Sequence, residues 1–243
     1  MSFDLALFNS TLTEGLQTWG LACSSGELAQ MGQFALQIIE VNRGLNLTRI
    51  LEPEEMAIKN FLDSLSLLLL EWPEQLRCLD VGTGAGFPGM PLALCKPEWS
   101  VTLLDSLRKR LNFLEETSLE MGMDNVATLH ARAEDAGQDR SQRETYDLVV
   151  SRAVASLPVL LELCSPLVTV GGRFVAFKAS EAQLEVAQSE PAMRKLKVEL
   201  EQTFSLELPR GMGERNLLVF RKIKPTPSSY PRRPGLPTKR PLV

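Results

Sequence analysis

Residues 77–89, RCLDVGTGAGFPG, run from a short apolar strand, Arg77 to Val81, through Asp80 into a turn with glycine at 82, 84 and 86. Twenty-five residues beyond Asp80 the design returns: Ser100 to Leu104 is a second apolar strand, and it ends on Asp105. Closely spaced glycines admit backbone conformations that a side chain would strain, so the first strand can turn sharply into a helix running from Gly89 to about Cys95. Strands that are continuous apolar runs, alternating with helices, predict a parallel sheet covered on both faces.

Downstream the alternation continues. A helix is predicted over Leu107 to Met121, a strand over Val126 to His130, then an acidic and polar turn with a short helix, and a strand over Asp147 to Ser151. A helix over Pro158 to Leu167, a strand over Arg173 to Lys178 entered through Gly171-Gly172, and a helix over Glu181 to Lys195 follow. Right-handed crossovers gather the glycine turn and the strand ends at one edge of the sheet, where a ligand site is expected. The last two strands, Val198 to Leu208 and Leu217 to Ile223, flank Pro209-Arg210-Gly211-Met212-Gly213, a link too short for a crossover. They need an antiparallel hairpin.

Upstream, apolar residues recur at three- and four-residue spacing from Phe3 to Trp19 and from Glu27 to Val41, with a capping-box pattern at Ser24 and Glu27. Residues 42–48, NRGLNLT, break the second of these helices, and Pro53 opens an apolar one, Met56 to Leu70, that should pack on the sheet. The expected architecture is α/β and Rossmann-like: a mostly parallel seven-stranded sheet ending in an antiparallel hairpin, with N-terminal helices. That arrangement is the one found in class I S-adenosylmethionine-dependent methyltransferases. The expected division is a helical segment over 1–72, a core over 73–224 and a basic, proline-rich arm over 225–243.

The glycine turn discriminates between ligands. A dinucleotide fingerprint reads G-x-G-x-x-G, whereas here the third glycine comes one position early and Phe87 stands where the helix-contact glycine belongs. Asp80 would repel a pyrophosphate but pair with an α-ammonium. Backbone N–H groups around Gly89 could receive a methionine carboxylate, Asp105 both ribose hydroxyls, and Ala133-Glu134-Asp135 could bracket an adenine. S-adenosylmethionine fits this set better than a dinucleotide. The plainer alternative is that both aspartates cap turns and the glycines serve only a tight bend. His130, ending an apolar strand, reads as a buried structural histidine.

Composition bounds the rest. The chain has 243 residues, 44% hydrophobic and 23% charged, ordinary for one well-packed globular unit. Its apolar run at Leu65 to Leu70 is far short of the roughly 20 residues of a membrane span, and Asp4 sits where a secretory signal would be basic, so a cytoplasmic protein is expected. Cys23, Cys78, Cys95 and Cys164 are scattered and His130 is the one histidine, so no metal site is expected and the cysteines read as small buried hydrophobes. Net charge is −4, yet residues 221–243 hold seven basic residues and no acid, leaving the remainder at −11. An acidic body repels phosphate. The arm, with prolines at 225, 227, 231, 234, 237 and 241, reads as extended charge without structure, serving as an RNA clamp or, alternatively, as a solubilising tail.

These stretches resemble the ribosomal RNA small subunit methyltransferase G family, the glucose-inhibited division protein B group. The likeness runs through NRGLNLTRI at 42–50, PEEMAIKNFLDSL at 53–65, LDVGTGAGFPGMPLAL at 79–94, LLDSLRKRLNFL at 103–114, ARAED at 131–135, DLVVSRAVASL at 147–157 and YPRRPGLPTKRPL at 230–242. The resemblance implies methyl transfer from S-adenosylmethionine to guanine N7 in the 530 loop of bacterial 16S ribosomal RNA, free or in a 30S subunit intermediate. It implies a cofactor pocket at Gly82, Gly84, Gly86, Asp105, Ala133, Glu134 and Arg152, to which the motif adds Asp80, Ala85 and Phe87. It places residues 42–48 and the FLDSL helix at the approach. Asn60 stands where many members have histidine.

No Asn- or Asp-Pro-Pro-aromatic clamp for an amino nitrogen follows the fourth strand; the residues are Ser151-Arg152-Ala153-Val154. Guanine N7 carries a free lone pair on the major-groove edge and needs no deprotonation, so alignment supplies most of the catalysis. Arg152 is the leading catalytic candidate, set to hold an RNA phosphate or the guanine O6 edge, or to lie beside the cofactor as the resemblance implies. Lys178 is a candidate guard of the opening, and Phe87 is a candidate lid or stacking surface or, equally, a core-packing residue. A monomer is expected.

Overall fold

The computed structural model describes residues 3–152, 155–179 and 182–243. Ala153, Val154 and Glu181, named above, lie outside the described residues. Among those described, seven strands form one sheet: β1 (Arg77–Val81), β2 (Ser100–Asp105), β3 (Val126–His130), β4 (Tyr146–Arg152), β5 (Val168–Lys178), β6 (Val198–Glu207) and β7 (Glu214–Lys222). Their order across the sheet is β3-β2-β1-β4-β5-β7-β6. The first five are parallel, and β7 runs antiparallel to both β5 and β6, so the short 209–213 link does close a hairpin.

Register follows from the apolar runs. Asp80 lies opposite Leu103 and Asp105 opposite His130, which sets the C-terminal ends of β1, β2 and β3 along one edge. Strand order reverses between β1 and β4, the crevice where ligands bind in open α/β sheets. Ser151 Oγ donates to the Val81 carbonyl at 2.9 Å and locks the two strand ends across it.

Alternate side chains of each strand feed two cores. One face carries Cys78, Leu103, Val150, Val175 and Val219 and is covered by the N-terminal helices and by helices Gly89–Cys95 and Arg108–Glu120. The other carries Leu79, Leu104, Val149, Phe174 and Phe220 and is covered by Leu157–Cys164 and Glu190–Leu196. The helices Leu5–Thr18 and Ser25–Leu45 open as the sequence requires. Asp4 caps the first, and Ser24 and Glu27 form the expected capping box on the second. The second helix runs on to Leu45 before Asn46, in the left-handed region at φ 49°, ends it.

Further expectations change: β5 begins at Val168, so Gly171 and Gly172 lie within the strand instead of leading into it. The apolar helix beginning at Pro53 is not uniform: it widens to a π turn over Ala57–Leu62 and tightens to a 3-10 turn over Ser66–Leu69. The helix expected over 181–195 is two, Ala182–Gln188 and Glu190–Leu196.

The arm is not charge without structure. It makes a one-turn helix, Leu236–Lys239, and buries Thr226, Pro231, Pro237 and Leu242. Prolines lack the N–H that a ladder needs, so the arm is held through its carbonyls. Arg143 donates to Thr226 and Tyr230 at 2.7 Å and to Pro227 at 3.2 Å, and Gln138 donates to Pro231 at 2.8 Å. Arg232 donates through Nε to the buried Glu162 at 2.7 Å, and Lys222 is buried at the root with Nζ on the carbonyls of Ser165 and Val168.

Candidate active site

The glycine loop wraps over the end of β1. Gly82, Gly84 and Gly86 all have positive φ, at 76°, 61° and 99°. Their roles differ. A Cβ on Gly84 would meet nothing closer than 3.9 Å, so its bare backbone faces the cavity. One on Gly86 would come within 2.8 Å of Leu114 and Met90, which makes Gly86 a packing glycine turned toward the core.

Asp80 lies beneath this loop, fully buried. Its Oδ2 accepts from Thr83 Oγ1 at 2.7 Å and from Gly89 N at 2.9 Å, while its Oδ1 is buried without a partner. The Gly89 N–H anticipated for a ligand carboxylate is therefore taken by Asp80 itself. Burial pushes the carboxyl up to about 6, against the opposing pull of those two hydrogen bonds and the charge of Arg152.

A cavity of about 770 Å³ opens at the strand ends, within the range of small-ligand sites. Asp105 and Glu134 stand at one end. Asp105 Oδ1 accepts from Leu107 N at 2.8 Å, and its Oδ2 accepts from Gly84 N at 3.1 Å and Arg110 Nη1 at 3.2 Å, so the carboxylate is fixed against the glycine loop. Glu134 is carried on helix Ala133–Gln138. Arg110 and Arg132 also line this part, as do Gly235, Thr238 and Lys239 of the arm.

At the other end is Arg152, one residue past the Ser151 lock. Its Nη1 donates to Asp63 Oδ2 and to the Lys59 carbonyl, both at 2.9 Å, and its guanidinium lies 5.3 Å from the Phe87 ring centroid. The carbonyl it reaches belongs to the π turn, a local widening of the kind that recurs at functional sites. Asp63, 1% exposed, accepts from Arg215 Nε on its second oxygen, so one buried carboxylate holds two guanidinium groups. Phe87 is no mobile lid: it packs edge-on against Phe61 at 5.1 Å and beside Phe34 at 5.6 Å. Asn60 lines the cavity with its Nδ2 buried and unpartnered. Leu47 and Thr48 also line the cavity, their loop fixed by Asn42, whose side chain bonds both the N–H and the carbonyl of Thr48.

Gly82, Gly84, Ala85, Phe87, Asp105, Ala133, Glu134 and Arg152 thus line one cavity, while Asp80 and Gly86 stand behind it. Lys178 does not guard the mouth; its Nζ is held by Ala155 O at 2.9 Å and Glu185 at 2.8 Å. His130 is exposed because β3 is an edge strand, and its ring bonds Ser106 O at 3.1 Å. Cys78 and Cys164 are buried, Cys23 and Cys95 half-buried, and all four are free thiols. No metal-ligating cluster occurs among the described residues.

A 3-2-1-4-5-7-6 sheet with a glycine turn after β1 and an acid ending β2 defines a class I methyltransferase. Solved structures share the fold. TYW2 of M. jannaschii, in complex with AdoMet, matches with TM-score 0.52 and 14% identity over 67% of this chain and 76% of its own. A mutant 16S rRNA (adenine(1408)-N(1))-methyltransferase from Catenulisporales acidiphilia matches with TM-score 0.50 and 14% identity over 62% of this chain and 86% of its own. The chain belongs to the rRNA small subunit methyltransferase G family, whose model matches residues 27–217. Ribosomal RNA small subunit methyltransferase G of Desulforamulus reducens is 47% identical over 85% of this chain and 86% of its own. That of Bacillus subtilis is 43% identical over 95% of this chain and 97% of its own.

Proposed function

We propose that this protein transfers a methyl group from S-adenosylmethionine to N7 of a guanine in the 530 loop of bacterial 16S ribosomal RNA. It acts in the cytoplasm as a monomer, on free RNA or a 30S subunit intermediate. The observation that carries this reading is the convergence of the glycine loop, Asp105, Glu134 and Arg152 on one cavity in a chain of this family.

The residues present fit the cofactor. The bare backbone of Gly84 leaves room that a Cβ would fill, Asp105 Oδ1, which accepts one bond, from Leu107 N, has capacity for a ribose hydroxyl, and the second oxygen of Glu134 offers an acceptor for an adenine amine. When bound, the sulfonium supplies an electrophilic methyl. The protein's part is alignment. Arg152, held by Asp63 and seated over Phe87, presents a fixed donor to the guanine O6 edge or an RNA phosphate. Asp63 is shared between Arg152 and Arg215 and cancels one of their two charges, so what Arg152 contributes is a fixed position rather than charge stabilisation of N7. Because N7 attacks through a free lone pair, no general base is needed.

Nucleoside mass mapping of small-subunit RNA from cells with and without the protein tests the assignment. N7-methylguanosine in that loop should depend on the protein, and its persistence without it would overturn the reading. Calorimetry with S-adenosylmethionine and NAD separates the methyl donor from a dinucleotide.

A further inference from the structure

We infer that residues 235–239 of the C-terminal arm form the adenosine-side wall of the methyl-donor site, with Glu134 shared between arm and donor. The inference rests on the proposed use of S-adenosylmethionine and adds a wall that the glycine-loop motifs do not contain.

Gly235, Thr238 and Lys239 line the same cavity as Asp105 and Glu134. Gly235 N donates to Glu134 Oε1 at 2.8 Å. Its φ of 78° turns the chain there into the short helix that carries Thr238 and Lys239. A carboxylate has two oxygens, so while one holds the arm the other serves the nucleoside.

The arm is anchored on the element that bears Glu134. Pro231 packs on Gly137 of helix Ala133–Gln138 so closely that a Cβ there would fall 2.7 Å from the proline ring. Gln138, the last residue of that helix, holds the Pro231 carbonyl, and Arg143 bridges Gly137 O and Tyr230 O. Arg232 reaches Glu162 on the neighbouring helix and also the Arg240 carbonyl, bracing both ends of the segment. Arm and nucleoside therefore share one seat, and what orders one favours the other.

Such linkage is reciprocal. Hydrogen exchange of the full chain should slow across residues 232–240 when S-adenosylhomocysteine saturates it, and likewise with 5′-methylthioadenosine, which keeps the nucleoside. Methionine, which lacks it, should leave the arm unchanged. Truncation after Lys224 should weaken S-adenosylhomocysteine binding about tenfold, within the usual span of such couplings. The exchange measurement needs no variant and so stands even if the truncated chain misfolds. Binding with no change in arm exchange, or a folded truncation with wild-type affinity, overturns the inference alone; a full chain that binds no S-adenosylhomocysteine removes the donor reading with it.

Discussion

The two ends of the cavity are built by opposite means. At the Arg152 end the charges are buried and interlocked, with Asp63 between Arg152 and Arg215 and a set of phenylalanines beneath. At the Asp105 end the fixed groups are backbone amides and one carboxylate, and the wall beside them is a proline-rich segment held through its carbonyls. Burial makes a rigid end whose geometry is set before any ligand arrives. A strap held by hydrogen bonds makes an end whose order can respond to what it binds.

The largest expected effect lies at the buried end. Asp63→Ala leaves two guanidinium groups without their carboxylate and should lower stability by about 3–5 kcal/mol in urea unfolding. A loss below ~1 kcal/mol would erase the contrast between the ends. Next, Arg152→Ala should reduce turnover on ribosomal RNA by about 10²–10³-fold, with a much smaller change in S-adenosylhomocysteine affinity. Near-normal turnover would reduce Arg152 to a structural ion pair.

Asp80, under both ends, sharpens the comparison through pH. Its folded pKa is raised from 3.8 to about 6, so the folded state holds this proton more tightly than the unfolded one. Stability from this group is present below about pH 4 and lost as pH rises through 6. Relative to Asp80→Asn, the wild type should therefore lose up to ~3 kcal/mol between pH 4 and 7, read as diverging urea midpoints. A constant difference across that range would show that the carboxyl is not perturbed. The smallest effect belongs to exposed His130: His130→Ala should leave stability within about 0.5 kcal/mol and methylation near wild type.

The sheet was legible because its strands are uninterrupted apolar runs. β1 and β3 begin and end where the sequence predicts, and β2 and β4 differ by a residue at their ends. Asp105 and the cavity-lining Gly82 and Gly84 were legible from the end of the second strand and from the glycine spacing. Asp80 was misread because spacing cannot show that the loop folds back so that Gly89 bonds the aspartate. Gly86 was misread because a packing glycine and a ligand-facing one look alike in sequence. The π turn escaped because Lys59, Asn60, Asp63, Ser64 and Ser66 interrupt a largely apolar helix without marking a change of pitch. The arm's order was hidden because its donors, Arg143 and Gln138, lie more than eighty residues away.

Asp63, Arg152 and Arg215 come from three separated stretches of chain yet form one ionic cluster. Chimaeras made by exchanging segments with a relative should thus tolerate crossovers only where all three partners travel together or find equivalents in the incoming piece. A splice that imports a neutral residue opposite Arg152 should yield an insoluble or inactive hybrid even when every glycine of the loop is retained.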